Sequence, residues 1–124
     1  MKRTYQFDQA ATSFPKAEGV AEAMTEYLTQ VGGNVGRGAY RSACDAAEAV
    51  LEVRERLCTL LGGPAPQNVI LTPGCTYSLN FVLKGLLRPG DRVAVSGLEH
   101  NAVLRPLRQM EARGVTVDCL PCIE

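Results

Sequence analysis

The sequence lacks most of the features that would place it at once in a functional class. Thirteen Lys and Arg residues are offset by thirteen Asp and Glu, so no broad field favours nucleic acid or an anionic membrane surface, and any charged ligand must be held by local geometry. No apolar run is long enough to span a bilayer, and the opening MKRTYQFDQAATSF contains no signal-peptide core. A cytoplasmic location is therefore the expectation, with neither nucleic acid nor membrane as a partner. Neither the Walker spacing nor G-x-G-x-x-G occurs, which removes direct support for a nucleoside triphosphate or a dinucleotide. His100 is the only histidine; with Glu99 beside it no zinc-type ligand set arises, and no metal is expected. The five cysteines are odd in number and scattered, unlike a secreted disulfide framework, and are read as free thiols.

What is present is an ordinary globular composition, 46% hydrophobic and 21% charged over 124 residues, enough for one small domain with a modest core. An extended arm from Tyr5 to Asp8 leads into a loop from Gln9 to Lys16. Val20, Met24, Tyr27, Leu28 and Val31 then fall on one helical face, ended by Gly32-Gly33. The stretch Gly32 to Tyr40 is rich in glycine and reads as a connector, although such a loop also lets backbone approach a ligand or a partner chain. Ser42 is placed to cap a second helix, with Asp45 three residues on, and Ala43, Ala46, Val50, Val53, Leu57 and Leu60 carry its apolar stripe. The acidic residues Asp45, Glu48, Glu52 and Glu55, with Arg56, form its solvated face.

From Asn68 the pattern alternates. Asn68 to Thr72 is read as a strand, Cys75 to Leu87 as a helix, Arg92 to Ser96 as a strand, Asn101 to Arg113 as a helix and Val115 to Leu120 as a strand. This β-α-β-α-β order has the crossover lengths of a parallel α/β sheet, one that is still incomplete at Glu124. The division expected is 1–40 for arm, helix and glycine-rich loop, and 41–124 for the start of an α/β domain.

Two loops follow strands on the same sheet edge, where open α/β sheets gather ligands. The first, Thr72-Pro73-Gly74-Cys75-Thr76, opens a helix. Its unpaired N–H groups, the helix dipole, the bare Gly74 and the Thr76 hydroxyl suit a phosphate, although a threonine-capped structural turn explains the same residues. The second, Ser96 to Asn101, carries His100, suited to acid-base work or to lying against a flat cofactor, or simply a surface histidine near a helix cap. Cys119-Leu120-Pro121-Cys122 has C-x-x-C spacing, but it begins inside a strand and lacks a second pair, so it is read as neither a thioredoxin motif nor a zinc site.

Taken in order, these pieces resemble the class V aminotransferase family of pyridoxal-phosphate enzymes, in particular its cysteine desulfurase and selenocysteine lyase branch. Asp8-Gln9-Ala10-Ala11-Thr12 with Pro15-Lys16 resembles D-x-A-A-T…P-K, and Asn34-Val35-Gly36-Arg37-Gly38 resembles N-x-x-R-G. Gly74-Cys75-Thr76 with Asn80 resembles G-T-T-x-x-x-N, and Glu99-His100-Asn101 resembles E-H-H. The resemblance implies helices followed by the first units of the fold type I large domain. It implies pyridoxal 5'-phosphate held through Gly74, Cys75 and Thr76, with His100 stacked on the pyridine ring and aiding proton transfer. It places Ala10, Ala11, Asn34 and Arg37 at a small amino-acid substrate, with cysteine foremost, and implies a homodimer and a sulfur-acceptor protein.

Departures accompany the matches. Cys75 stands for the first threonine of the pair, and Gly36 and Asn101 stand where desulfurases commonly carry histidine. The Schiff-base lysine of the family lies in an S-x-H-K motif, and Lys2, Lys16 and Lys84 are the only lysines here, none after a histidine. None of the cysteines inherits the nucleophile's role. The chain is thus expected to be a truncated or partial product, inactive alone, of an enzyme that converts cysteine to alanine and leaves an enzyme persulfide. Another class V aminotransferase or lyase is the alternative. So is a non-catalytic α/β module whose unfinished sheet edge promotes self-association.

Overall fold

The computed structural model of the chain describes residues 5, 7–36 and 38–122. Its elements are, in order, α1 (Val20–Glu26) continued by a π-helical turn (Tyr27–Val31), α2 (Arg41–Leu61), a 3₁₀ turn (Pro66–Asn68), α3 (Cys75–Leu86), β1 (Arg92–Ser96), α4 (Asn101–Glu111) and β2 (Thr116–Leu120). They group into two compact units that divide between Val69 and Ile70.

In the first unit Gly32, at φ 55°, ends the first helical segment as expected. The helix is not uniform: it widens at Tyr27, and Met24 and Leu28, expected on a buried stripe, remain 61% and 74% exposed. Ser42 does not cap α2. The helix begins one residue earlier, and the Tyr40 carbonyl receives the Ala43 and Cys44 N–H groups at 3.0 and 3.2 Å. The glycine-rich connector has a local purpose, because a Cβ on Gly33 would lie 1.9 Å from the Ser42 carbonyl oxygen. Ala43, Ala46 and Cys58 are buried along α2, whereas Val53 and Leu60 of the expected stripe are exposed. Gly62, at φ 65°, closes the helix, and the Gly63 N–H returns to the Cys58 carbonyl at 2.8 Å.

The second unit contains the α/β part. β1 and β2 pair in parallel, with Arg92 opposite Thr116 and Ser96 opposite Leu120, and α4 is the crossover between them. Leu107, Pro106, Met110 and Ala102 are buried on one face of α4, joined in the core by Val95 and Val115. Pro106 contributes no N–H to the helical ladder, but its ring is packed in that core. The strand expected over Asn68 to Thr72 does not form; the 3₁₀ turn occupies its start and no ladder follows among the described residues. A strand requires a hydrogen-bonded neighbour, and Ile70 and Leu71 have none and stay exposed. The fold is α/β with an incomplete parallel sheet.

Candidate functional site

The start of α3 is built by one hydroxyl. Thr72 Oγ1 donates to the Gly74 carbonyl at 3.0 Å, exchanges a 2.7 Å bond with Ser78 Oγ and receives the Gly74 N–H at 3.4 Å. The helical ladder begins with the Tyr77 and Ser78 N–H groups, both bonded to the Gly74 carbonyl at 3.0 and 3.2 Å. The N–H groups of Cys75 and Thr76 lie before that ladder, with the dipole of a 12-residue helix behind them. Gly74 has no atom within 4 Å of the place a Cβ would occupy, so the approach to these donors is open. Cys75 and Thr76 are both exposed.

The start of α4 is capped by an unusual residue. His100 occupies the N-cap, and its Nδ1 accepts the Ala102 N–H at 3.1 Å. That bond requires Nδ1 to be unprotonated, so the N–H of the neutral ring is at Nε2. The preceding turn is fixed by Ser96, whose hydroxyl donates to Glu99 Oε1 at 2.8 Å and receives the Leu98 N–H at 3.4 Å. Glu99 is thereby engaged within its own loop.

The two helix starts meet. A cavity of about 330 Å³ is lined by Thr76 and Asn80 from α3, by the N-cap His100, and by Asn101, Arg105 and Gln109 from α4. Asn80 is held by its own bond to the Thr76 carbonyl at 2.9 Å. Sequence reading missed Arg105 and Gln109. The signal was the four-residue spacing of Asn101, Arg105 and Gln109, which puts all three on one face of a helix that opens at the carboxyl end of β1. Arg105 forms no ion pair among the described residues, whereas Arg108 pairs with Glu111 at 3.7 Å and Arg92 with Asp118 at 2.9 Å. The Arg92 guanidinium is held above its ordinary pKa, first by its hydrogen bonds to Asp118 and then by the carboxylate's charge.

Lys84 lies elsewhere. It lines a separate, larger groove of about 670 Å³ with Tyr77, Phe81 and Gly85, which shares only Thr76 and Asn80 with the first. Of the residues expected at the substrate, Ala10 and Ala11 are exposed in a turn of the first unit and Asn34 is exposed in its connector; Arg37 lies outside the described residues. Among the described residues no three His, Cys, Asp or Glu side chains form a metal-holding group, and no helix is long and apolar enough to cross a membrane.

Comparison with known proteins agrees with this fold. The model of the class V aminotransferases matches residues 5–124. A cysteine desulfurase IscS of Vibrio cholerae is 36% identical over 126 aligned positions, covering 97% of this chain and 31% of that protein. A probable cysteine desulfurase of Methanothermobacter thermautotrophicus is 32% identical over 116, covering 93% and 29%. In three dimensions the chain resembles the apo cysteine desulfurase of Thermococcus onnurineus NA1, with a TM-score of 0.78 at 28% identity, over 92% of this chain and 29% of that one. The chain spans about three-tenths of the length of the curated relatives it matches.

Proposed function

Since the chain belongs to the class V aminotransferase family, we propose that it supplies the phosphate-binding end of a pyridoxal-phosphate enzyme of the cysteine desulfurase kind. The observation that carries this reading is the single cavity into which both Thr76 and His100 are brought. The donor set fits the cofactor. The Cys75 and Thr76 N–H groups, the Thr76 hydroxyl and the Arg105 guanidinium suit a phosphate dianion, and a guanidinium is well matched to its oxygens. Cys75 in place of threonine removes one hydroxyl and leaves its backbone donor intact. The His100 ring lies at the same cavity with Nδ1 tied to Ala102, so its ring face and Nε2 are the parts left to meet a flat heterocycle or to hold a proton there.

When bound, pyridoxal phosphate supplies an electron sink for bond cleavage in an amino acid. The full reading has cysteine as substrate, sulfur passed to an acceptor protein, a homodimer and a cytoplasmic setting, with Ala10, Ala11, Asn34 and Arg37 at the substrate. The similarity to desulfurases supports this over another class V aminotransferase or lyase. By itself the chain is read as a holder and not a catalyst, because Lys84, the one lysine of the second unit, lines the neighbouring groove.

The test is a titration of the isotope-labelled chain with pyridoxal phosphate and, in parallel, with pyridoxal, followed by amide and imidazole NMR shifts. The phosphorylated compound should move the Gly74, Cys75 and Thr76 amides and the His100 ring, and pyridoxal should leave the three amides still. Equal effects of the two compounds, or a borohydride-reducible adduct at Lys84, would overturn the assignment.

A further inference from the structure

The C-x-x-C segment takes no part in the reading above, yet the fold does something with it that spacing alone does not disclose. Cys119 belongs to β2, and Cys122 follows Pro121 just beyond the strand. Both thiols are free and exposed. Their sulfurs converge on one point of the neighbouring loop: a Cβ built on Gly97 would lie 3.5 Å from Cys122 Sγ and 3.9 Å from Cys119 Sγ. The two sulfurs are therefore no farther apart than the sum of those distances, and a bridge between them calls for side-chain rotation and movement of the turn at Pro121. Among the described residues neither thiol has a strong hydrogen-bond partner, the single hydrogen bond of Cys119 Sγ being a 4.0 Å approach to the Leu120 carbonyl. Gly97 leaves the space over the pair free of a side chain.

We propose that Cys119 and Cys122 form a reversible redox pair at the carboxyl edge of the sheet, closed by low-molecular-weight disulfides of the glutathione class. One thiolate attacks a sulfur of the oxidised glutathione, the reagent's S–S bond breaks, and one glutathione thiolate leaves as a mixed disulfide forms. The second protein thiolate then attacks the protein sulfur of that mixed disulfide and expels the other glutathione. The two cysteines lose two protons and two electrons, and the oxidised glutathione is reduced to two thiols. The bridge lies against the loop Ser96 to His100, beside Gly97, so the redox state of the pair is felt by the segment that carries His100. This inference is independent of the proposed function.

The experiment equilibrates the purified chain in buffers of graded oxidised-to-reduced glutathione, quenches with acid, alkylates the remaining thiols and maps the peptides by mass spectrometry. Cys119 and Cys122 should lose their alkylation tags together and appear as one intrachain-linked peptide lighter by two hydrogens, while the exposed Cys44 and Cys75 go no further than mixed disulfides and the buried Cys58 remains alkylated. Cys119→Ser and Cys122→Ser should each stop at the mixed disulfide on the surviving thiol. In urea the ratio of linked peptide to mixed disulfide should fall severalfold, because the convergence over Gly97 is lost. Separate glutathionylation of both thiols in the native chain, linkage between chains, or an unchanged ratio in urea would overturn the proposal.

Discussion

His100 is assigned two separable tasks, and two substitutions divide them. His100→Ala removes the acceptor that lies 3.1 Å from the Ala102 N–H. Ala102 is only 8% exposed, so water is a poor replacement, and the change should destabilise the chain by about 1 kcal/mol, roughly fivefold in the unfolding constant. His100→Asn restores a short side-chain acceptor of the kind preferred at an N-cap and should bring stability back to within a few tenths of a kcal/mol. It supplies no imidazole, so the response to the pyridine ring should stay lost while the shifts at the Cys75 and Thr76 amides persist. The assay is urea unfolding followed by far-ultraviolet circular dichroism, joined to the pyridoxal-phosphate titration. If alanine were as stable as the parent, the capping bond would not hold the helix start. If asparagine restored both readouts, the ring would have no part in the site.

Other substitutions probe the rest of the second unit. Leu107 is 1% exposed at the centre of the α4 core, and Leu107→Ala should cost about 2–5 kcal/mol in the same unfolding assay. Gly85 sits in the last turn of α3 with nothing within 4 Å of a built Cβ; Gly85→Ala should raise stability by roughly 0.5–1 kcal/mol. Thr72→Val strips the hydroxyl that joins Gly74 to Ser78 and should cost about 1–2 kcal/mol while weakening phosphate-dependent shifts, with Thr72→Ser close to the parent. Arg105→Gln should leave unfolding unchanged and weaken pyridoxal-phosphate binding roughly three- to tenfold, with the affinity less dependent on salt than in the parent.

The elements closed by local interactions were legible in the sequence. β1 has the bounds read from its β-branched residues, and α3 starts at Cys75 as read and ends one residue before the expected Leu87. Gly32 and Gly62 mark helix ends by left-handed conformations available chiefly to glycine. The failures fall where a nonlocal partner or a backbone detail decides. Ser42 looked like a cap by composition, yet the Tyr40 carbonyl starts the ladder. Met24, Leu28 and Leu60 have the spacing of a buried stripe and remain exposed, because periodicity identifies the apolar face of a helix without supplying its cover. Thr76 and His100, which line the proposed site, were singled out from chain order; Arg105 was not, because an arginine on a helix surface is ordinary until its neighbours are known.

The contrast between residues 69–72 and the turn that follows them bears directly on the site. Ile70 and Leu71 have the apolar character of a buried strand and lie exposed without a ladder, yet the turn beside them that is proposed to hold phosphate is formed. The reason is that the turn's bonds are local: Thr72 reaches two residues to Gly74 and six to Ser78, and the first helical bonds return to Gly74. A site built this way tolerates an unpaired strand because its donors are aimed by the helix they begin. Pairing residues 69–72 with a neighbouring strand would then bury Ile70 and Leu71 and add stability to the sheet, while the bonds around Thr72 that orient the Cys75 and Thr76 N–H groups would be retained.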